Sequence, residues 1–224
     1  MKATTAQVIA DGQKYVMNTY GRLPIVIDKG EGSYVWDLDG NKYLDLVAGI
    51  AVNSLGHGHP AVIQAIKEQS EQLLHCSNLY WIENQVNLAK LLVEKSGLGK
   101  AFFCNSGAEA NEAAIKLARK WGNGEKYHFV VMQKSFHGRT FATMTATGQA
   151  KIHEGFGPLV NEFVYLPYND VESLEAEMDD TVAAIMTEVV QGEGGVVPGT
   201  ESFLTTIQKY TSFVNLNTTS QIIL

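Results

Sequence analysis

Cysteine is scarce in this chain of 224 residues: Cys76 and Cys104 are its two. Two thiols build no disulfide framework, and they read as buried thiols of a cytoplasmic protein. Clustered positive charge is also missing. The net charge is −7, with acids and bases mixed along the chain, which argues against a nucleic-acid surface. No apolar run reaches the length of a membrane span, and Met1-Lys2-Ala3-Thr4-Thr5-Ala6 is too polar to begin a secretory signal. Internal repeats and low-complexity runs are absent up to about residue 210. No G-x-G-x-x-G follows a strand pattern, and there is neither a Walker-A lysine nor a G-x-S-x-G elbow. These absences set aside dinucleotide, P-loop nucleotide and serine-hydrolase chemistry.

What is present is an ordinary globular balance, 45% hydrophobic and 18% charged. The length suits one large domain, or one domain with a smaller piece. Residues 3–18 allow an amphipathic helix ending near Tyr20-Gly21. Ile25-Val26-Ile27, Ser33-Tyr34-Val35-Trp36 and Lys42-Tyr43-Leu44 read as a small antiparallel meander, with turns at 28–32 and 37–41. Pro60 suits the first turn of a helix running to about Leu74, and residues 82–96 form another. His57 and His59 stand at i, i+2 with no carboxylate close by in sequence, a poor ligand set, so no metal site is expected.

The centre of the chain is more informative. Ala101–Phe103 reads as a short strand, followed by an alanine-rich helix to about Trp121. Ser106 and Glu109 have the spacing of a capping box. Gly107 and Ala108 then fall in the first turn, where amides have no partner inside the helix, and such a turn with small residues is a ready anion site. Tyr127–Met132, Phe163–Leu166 and Val182–Met186 are apolar runs of the kind buried on both faces of a parallel sheet, with a helix at 170–178 between the last two. Strands alternating with helices indicate an α/β domain, in which ligands sit at the carboxyl ends of the strands. The segments after Phe103, Met132 and Met186 all stand at such ends. In the second, Phe136 suits stacking on a planar ring or burial in the core, and Arg139 suits forking onto a carboxylate or a surface ion pair. In the third, Glu188 and Glu193 flank a glycine-rich turn. Glu193 suits a cationic partner in a cleft or a solvated loop, and Glu188 suits orienting a ligand.

These segments together carry a resemblance. Gly49-Ile50-Ala51-Val52-Asn53, Leu55-Gly56-His57-Gly58-His59-Pro60, Ser77-Asn78-Leu79-Tyr80, the stretch from Asn105 to Glu112, Phe136-His137-Gly138-Arg139-Thr140 and Gln191-Gly192-Glu193-Gly194-Gly195 occur in this order. The chain resembles the class III, fold-type I, pyridoxal-phosphate-dependent aminotransferases, in the subgroup that contains acetylornithine aminotransferase. The resemblance covers about residues 10–210. It implies a fold-type I large domain, three-layered with a mostly parallel sheet, preceded by a helix and a small meander. It implies pyridoxal 5′-phosphate as cofactor, with Ser106, Gly107 and Ala108 at its phosphate, Phe136 stacked on its ring and Glu188 near that ring. It implies Arg139 at the substrate α-carboxylate and Glu193 as a gate acid that pairs with an arginine. The reaction implied is transfer of an amino group from N2-acetylornithine to 2-oxoglutarate, in the cytoplasm, in a homodimer. Ornithine, succinylornithine and 4-aminobutyrate are the alternative donors of the related enzymes.

The resemblance also implies residues that this sequence does not match. The lysine that holds the cofactor and the aspartate under its ring nitrogen follow, in the family, a buried strand after Tyr210. Here residues 211–224 are rich in Thr, Ser and Asn instead. The expected layout is therefore a small-domain segment at 1–48, the first part of the large domain at 49–210, and a tail at 211–224 unlike the family, as after a frameshift or truncation. The chain alone is expected to be inactive and at most a weak, non-covalent binder of the cofactor. A non-enzymatic remnant that pairs with an intact subunit is the competing reading.

Overall fold

The computed structural model describes residues 3–211. The expected tail, from 212 onward, lies outside the described residues. The chain forms two compact units that part between Tyr80 and Trp81.

In the first unit, α1 (Thr5–Tyr15) begins at Thr4, whose Oγ1 accepts the Gln7 amide at 3.2 Å. The helix ends earlier than the apolar pattern predicts, because the backbone turns extended at Val16. Next come β1 (Ile27–Glu31), β2 (Tyr34–Asp37) and β3 (Lys42–Leu44), an antiparallel meander in the order β1-β2-β3. β1 runs through residues that read as a turn, leaving Gly32-Ser33 to make the reversal, with Gly32 at φ +55. Asp37 closes β2 and organises the unit. Its Oδ1 accepts the amides of Asp39 (3.0 Å) and Asn41 (2.8 Å), and its Oδ2 accepts Asn41 Nδ2 and Tyr43 Oη, both at 2.8 Å. These donors, the Asn41 side chain foremost, hold its carboxyl below the usual range.

The unit continues through α2 (Ala48–Ala51), a tight left-handed turn, and α3 (Pro60–Gln72), with Pro60 in its first turn as expected, to a 3₁₀ turn at Ser77–Leu79. The histidine loop does have a carboxylate beside it: His57 Nε2 lies 2.7 Å from Asp45 Oδ2. Asp45 is remote in sequence, so the spacing of the histidines did not reveal it. Its other oxygen accepts the amides of Val47 and Ala48 and fixes the start of α2.

The second unit contains α4 (Glu83–Ser96), α5 (Gly107–Gly122), β4 (His128–Met132), α6 (Phe141–Ala146), α7 (Ala150–His153), β5 (Phe163–Leu166), α8 (Val171–Glu177), β6 (Val182–Met186), β7 (Val190–Gln191), β8 (Val197–Pro198) and α9 (Glu201–Thr211). The three long apolar runs form one parallel sheet in the order β5-β4-β6. Successive side chains leave a strand on opposite faces. Phe129 and Val131 accordingly meet Ile115 and Ala118 of α5 and Ala146 of α6, while Val130 and Met132 meet Leu174 of α8 and Phe203 and Ile207 of α9. The result is a three-layer α/β arrangement with the sheet in the middle. Each fully buried aliphatic or aromatic side chain there contributes about 1.5–3 kcal/mol of hydrophobic stabilisation. A two-stranded antiparallel ribbon, β7-β8, follows β6. No described helix is long and apolar enough to cross a membrane.

Two expectations are corrected. Ala101–Phe103 is not a strand: it joins no ladder among the described residues, and Phe102 is 69% exposed. An apolar run becomes a strand only beside an open edge, and no described strand pairs with it. The cysteines are not buried thiols either, since Cys104 is exposed and Cys76 half-buried.

Candidate active site

The start of α5 forms as the capping pattern predicts. Ser106 takes an extended backbone, and its Oγ accepts the Glu109 amide at 3.2 Å. Glu109 reaches back with Oε2 to the amide of Asn105 at 2.6 Å, one residue before the cap. Of the four amides at the helix start, Ser106 to Glu109, only that of Glu109 is satisfied by the cap. Among the described residues, the amides of Gly107 and Ala108 have no acceptor. A Cβ built on Gly107 would meet nothing within 4 Å, so the space over this turn is open. The positive end of the helix dipole faces it.

The segment after β4 lies against the same turn. A Cβ at Gly138 would come within 2.9 Å of Ala108 Cβ and 2.6 Å of Thr143 Oγ1, and Gly138 has φ +136. Only glycine permits that approach. On one side of Gly138, the His137 carbonyl accepts Asn111 Nδ2 at 2.6 Å, and the His137 amide donates to Thr147 Oγ1 at 2.9 Å. On the other side, Thr140 Oγ1 donates to Glu112 Oε1 at 2.6 Å. Phe136 and Arg139 flank this anchored pair. The Arg139 guanidinium carbon lies 5.7 Å from the centre of the Phe136 ring, and among the described residues Arg139 is exposed and has no carboxylate partner.

The segment after β6 closes the group. Glu188 is buried, and its Oε2 lies 3.4 Å from the Phe136 amide. Burial pushes its carboxyl up to about 7, and the charge of Glu193 adds to the rise while the Phe136 amide opposes it. Tyr168 Oη donates to the carbonyls of Glu188 (2.8 Å) and Val189 (3.1 Å). Burial and the Glu188 charge raise its hydroxyl to about 12, so it stays a donor. Gln191 Nε2 donates to the Gln133 carbonyl at 3.0 Å and ties the β6 segment to the end of β4. Glu193 stands beyond it, exposed on the glycine-rich turn.

The structure thus brings Gly107 and Ala108 next to the Phe136–Arg139 loop, and Phe136 next to Glu188, with Glu193 near enough to act on Glu188. Ser106 caps its helix. Sequence reasoning missed three residues here. Asn111 and Glu112 sit between Ala108 and Ile115 on the face of α5 that should be apolar, and that interruption was the available signal. The third is His137. It is 2% exposed, neither ring nitrogen has a partner among the described residues, and burial lowers its imidazole to about 4. Nothing in the spacing marks a histidine as unpaired.

Comparison with known proteins identifies the family. The class-III aminotransferase family pattern matches residues 15–216. The chain is 57% identical to an acetylornithine aminotransferase of Caldanaerobacter subterraneus over 88% of its own length and 51% of the relative's. It is 55% identical to that of Synechocystis, over 85% and 47%. Among solved structures, an ornithine aminotransferase of Toxoplasma gondii superposes with a TM-score of 0.88 at 32% identity, covering 95% of this chain and 52% of that one. An N-acetylornithine aminotransferase of Stenotrophomonas maltophilia gives 0.74 at 35%, covering 92% and 50%. The chain spans about half the length of these relatives.

Proposed function

The chain belongs to the class-III aminotransferases, and from that premise we propose that it supplies the first half of a pyridoxal 5′-phosphate-dependent enzyme that moves an amino group from N2-acetylornithine to 2-oxoglutarate. The observation that supports this reading is the approach of Gly138 to Ala108, which brings the loop carrying Phe136 and Arg139 against a helix start whose Gly107 and Ala108 amides have no acceptor among the described residues.

The residues present fit the cofactor on three counts. The first turn of α5 is open and its two amides are free to take a phosphate. The Phe136 ring flanks the same site and offers a stacking surface. His137 is 2% exposed, and neither ring nitrogen has a partner among the described residues, the unmet demand of a group whose polar neighbour comes from elsewhere. When bound, the cofactor supplies an electron sink for the carbanion formed at the donor carbon. The work of this chain's residues is to bind and orient. Ser106 shapes the helix start, and Gly107 and Ala108 hold the phosphate by backbone N–H. Arg139 forks onto a substrate carboxylate. Glu188, with a carboxyl near 7, keeps or releases a proton close to neutral pH beside the Phe136 backbone. Glu193 awaits a cation, matching the role of a gate acid for substrates with and without a distal carboxylate.

The lysine that carries the cofactor and the aspartate under its ring nitrogen are assigned to the half of the relatives that this chain does not span. Residues 1–48 and 49–210 are assigned to the small and large domains, and the whole enzyme to a cytoplasmic homodimer. The similarity to acetylornithine aminotransferases at 55% and 57% identity favours N2-acetylornithine over ornithine as donor. The test is an absorbance titration with pyridoxal phosphate, followed by borohydride. The expected result is saturable binding with no lysine labelled. Absence of binding, or stoichiometric labelling of a single lysine, contradicts the reading. Donor preference is read from the reduced adducts of the cofactor with N2-acetylornithine, ornithine and 4-aminobutyrate, the first of which is expected to bind tightest.

A further inference from the structure

Three residues on one face of α5 touch the loop that carries Arg139. Ala108 packs on Gly138, Asn111 donates to the His137 carbonyl at 2.6 Å, and Glu112 accepts Thr140 Oγ1 at 2.6 Å. Positions i, i+3 and i+4 stack above one another on a helix, so the contacts form a continuous seam. Glu112 Oε1 also accepts the amides of Ala142 at 3.1 Å and Thr143 at 3.3 Å. The backbone on both sides of Arg139 is therefore pinned, while its guanidinium has no carboxylate partner among the described residues. Packing alone does not call for these polar groups. Asn111 is 5% exposed on a face that continues into buried Ile115 and Ala118, where an alanine would pack without the penalty of desolvating an amide.

We propose that Glu112, with Asn111 beside it, is a positioning residue that sets the span between the phosphate-holding amides of Gly107 and Ala108 and the Arg139 guanidinium. This rests on the reading of the site given above. The helix that offers its N-terminus to the phosphate also grips the carboxylate-binding arginine, so one rigid element holds both ends of the ligand. Such preorganisation places a two-ended ligand at no further ordering cost. A purely structural role for Glu112, as a cap for α6, would instead weaken every ligand alike.

Two probes separate these roles. Pyridoxine 5′-phosphate engages the phosphate end alone, whereas N-(5′-phosphopyridoxyl)-L-glutamate, a stable secondary amine, adds carboxylates within reach of Arg139. Calorimetric titration of the full chain measures both. Glu112→Gln is expected to leave the pyridoxine 5′-phosphate Kd within about twofold and to remove about tenfold of the adduct's extra affinity, the size of one lost charge-assisted hydrogen bond. Arg139→Gln should remove the same advantage, and the double variant should lose little more, because the two act on one contact. Thr140→Val, a smaller perturbation that deletes one donor to Glu112, should show the same selectivity. Equal losses for both probes in Glu112→Gln and Thr140→Val, or an undiminished adduct advantage in both, would overturn the proposal. If the unaltered chain binds pyridoxine 5′-phosphate but shows no adduct advantage, the assignment of Arg139 fails, and the positioning role fails with it.

Discussion

Residues 3–106 and 107–211 are similar in length and opposite in construction. In the second stretch every layer of the sheet is covered, and Phe129, Val130, Val131, Met132, Phe203 and Ile207 are wholly buried. In the first, one side chain is buried, and it is an acid, Asp37. Helices α1, α3 and α4 bury nothing, and Leu46, Leu74, Leu79 and Trp81 are among the most exposed apolar residues, Trp81 at 94%. The difference teaches that an amphipathic pattern records that a face exists, not what covers it. Hydrogen bonds around Asp37 hold the meander together, whereas apolar burial holds the sheet. The candidate active site is built where the burial is, at the carboxyl ends of β4 and β6 and the start of α5.

Substitutions sharpen the contrast. Phe203→Ala removes a fully buried ring between α9 and the sheet and should cost about 3–5 kcal/mol in denaturant unfolding of the second unit. A cost near zero would show that this core does not carry the fold. Asp37→Ala strips the acceptor from two amides, an amide side chain and the Tyr43 hydroxyl, and should destabilise the meander, by less than the loss of Phe203. Its signature is faster hydrogen exchange in β1–β3 with α9 unaffected.

Two buried groups should give pH slopes of opposite sign. Glu188 titrates at about 7 in the fold against 4.5 ordinarily, so between those values the fold holds a proton that the unfolded chain has released. Stability should decline as pH rises through this window, and Glu188→Gln should flatten the decline. His137 titrates at about 4 against 6.5. The unfolded chain takes up a proton that the fold refuses, so stability should decline as pH falls from 6.5 toward 4, and His137→Gln should remove that slope. Melting curves of both variants from pH 4 to 8 check both signs. The smallest effect belongs to Trp81→Ala, expected within about 0.5 kcal/mol because an exposed ring has little to lose. A large cost there would break the comparison.

Much of this was legible beforehand, for local reasons. The runs at 128–132, 163–166 and 182–186 have the apolar character of parallel-sheet strands packed between helices, and the Ser106–Glu109 spacing carries its own hydrogen bonds. What stayed hidden depends on neighbours remote in sequence. Ala101–Phe103 has the apolar character of a strand but no edge to join. His57 finds Asp45, and Gly138 is glycine because Ala108 and Thr143 crowd it. Asn111 and Glu112 were visible as polar residues on an apolar face, but their partners, the His137 carbonyl and the Thr140 hydroxyl, appear only once the loop after β4 folds back on α5.

The central claim is that the bared first turn of α5 holds a phosphate ester. Gly107→Asp tests it most directly, since the site has room for the side chain and an acid at a helix start favours the helix by about 0.3–1 kcal/mol. The measurement is the ratio of Kd for pyridoxine to Kd for pyridoxine 5′-phosphate. In the unaltered chain that ratio should be about tenfold or more, as one charge-assisted contact implies. Gly107→Asp should collapse it toward one while leaving the melting temperature unchanged or higher. Equal affinity for the two compounds, or a ratio indifferent to the substitution, would contradict the account.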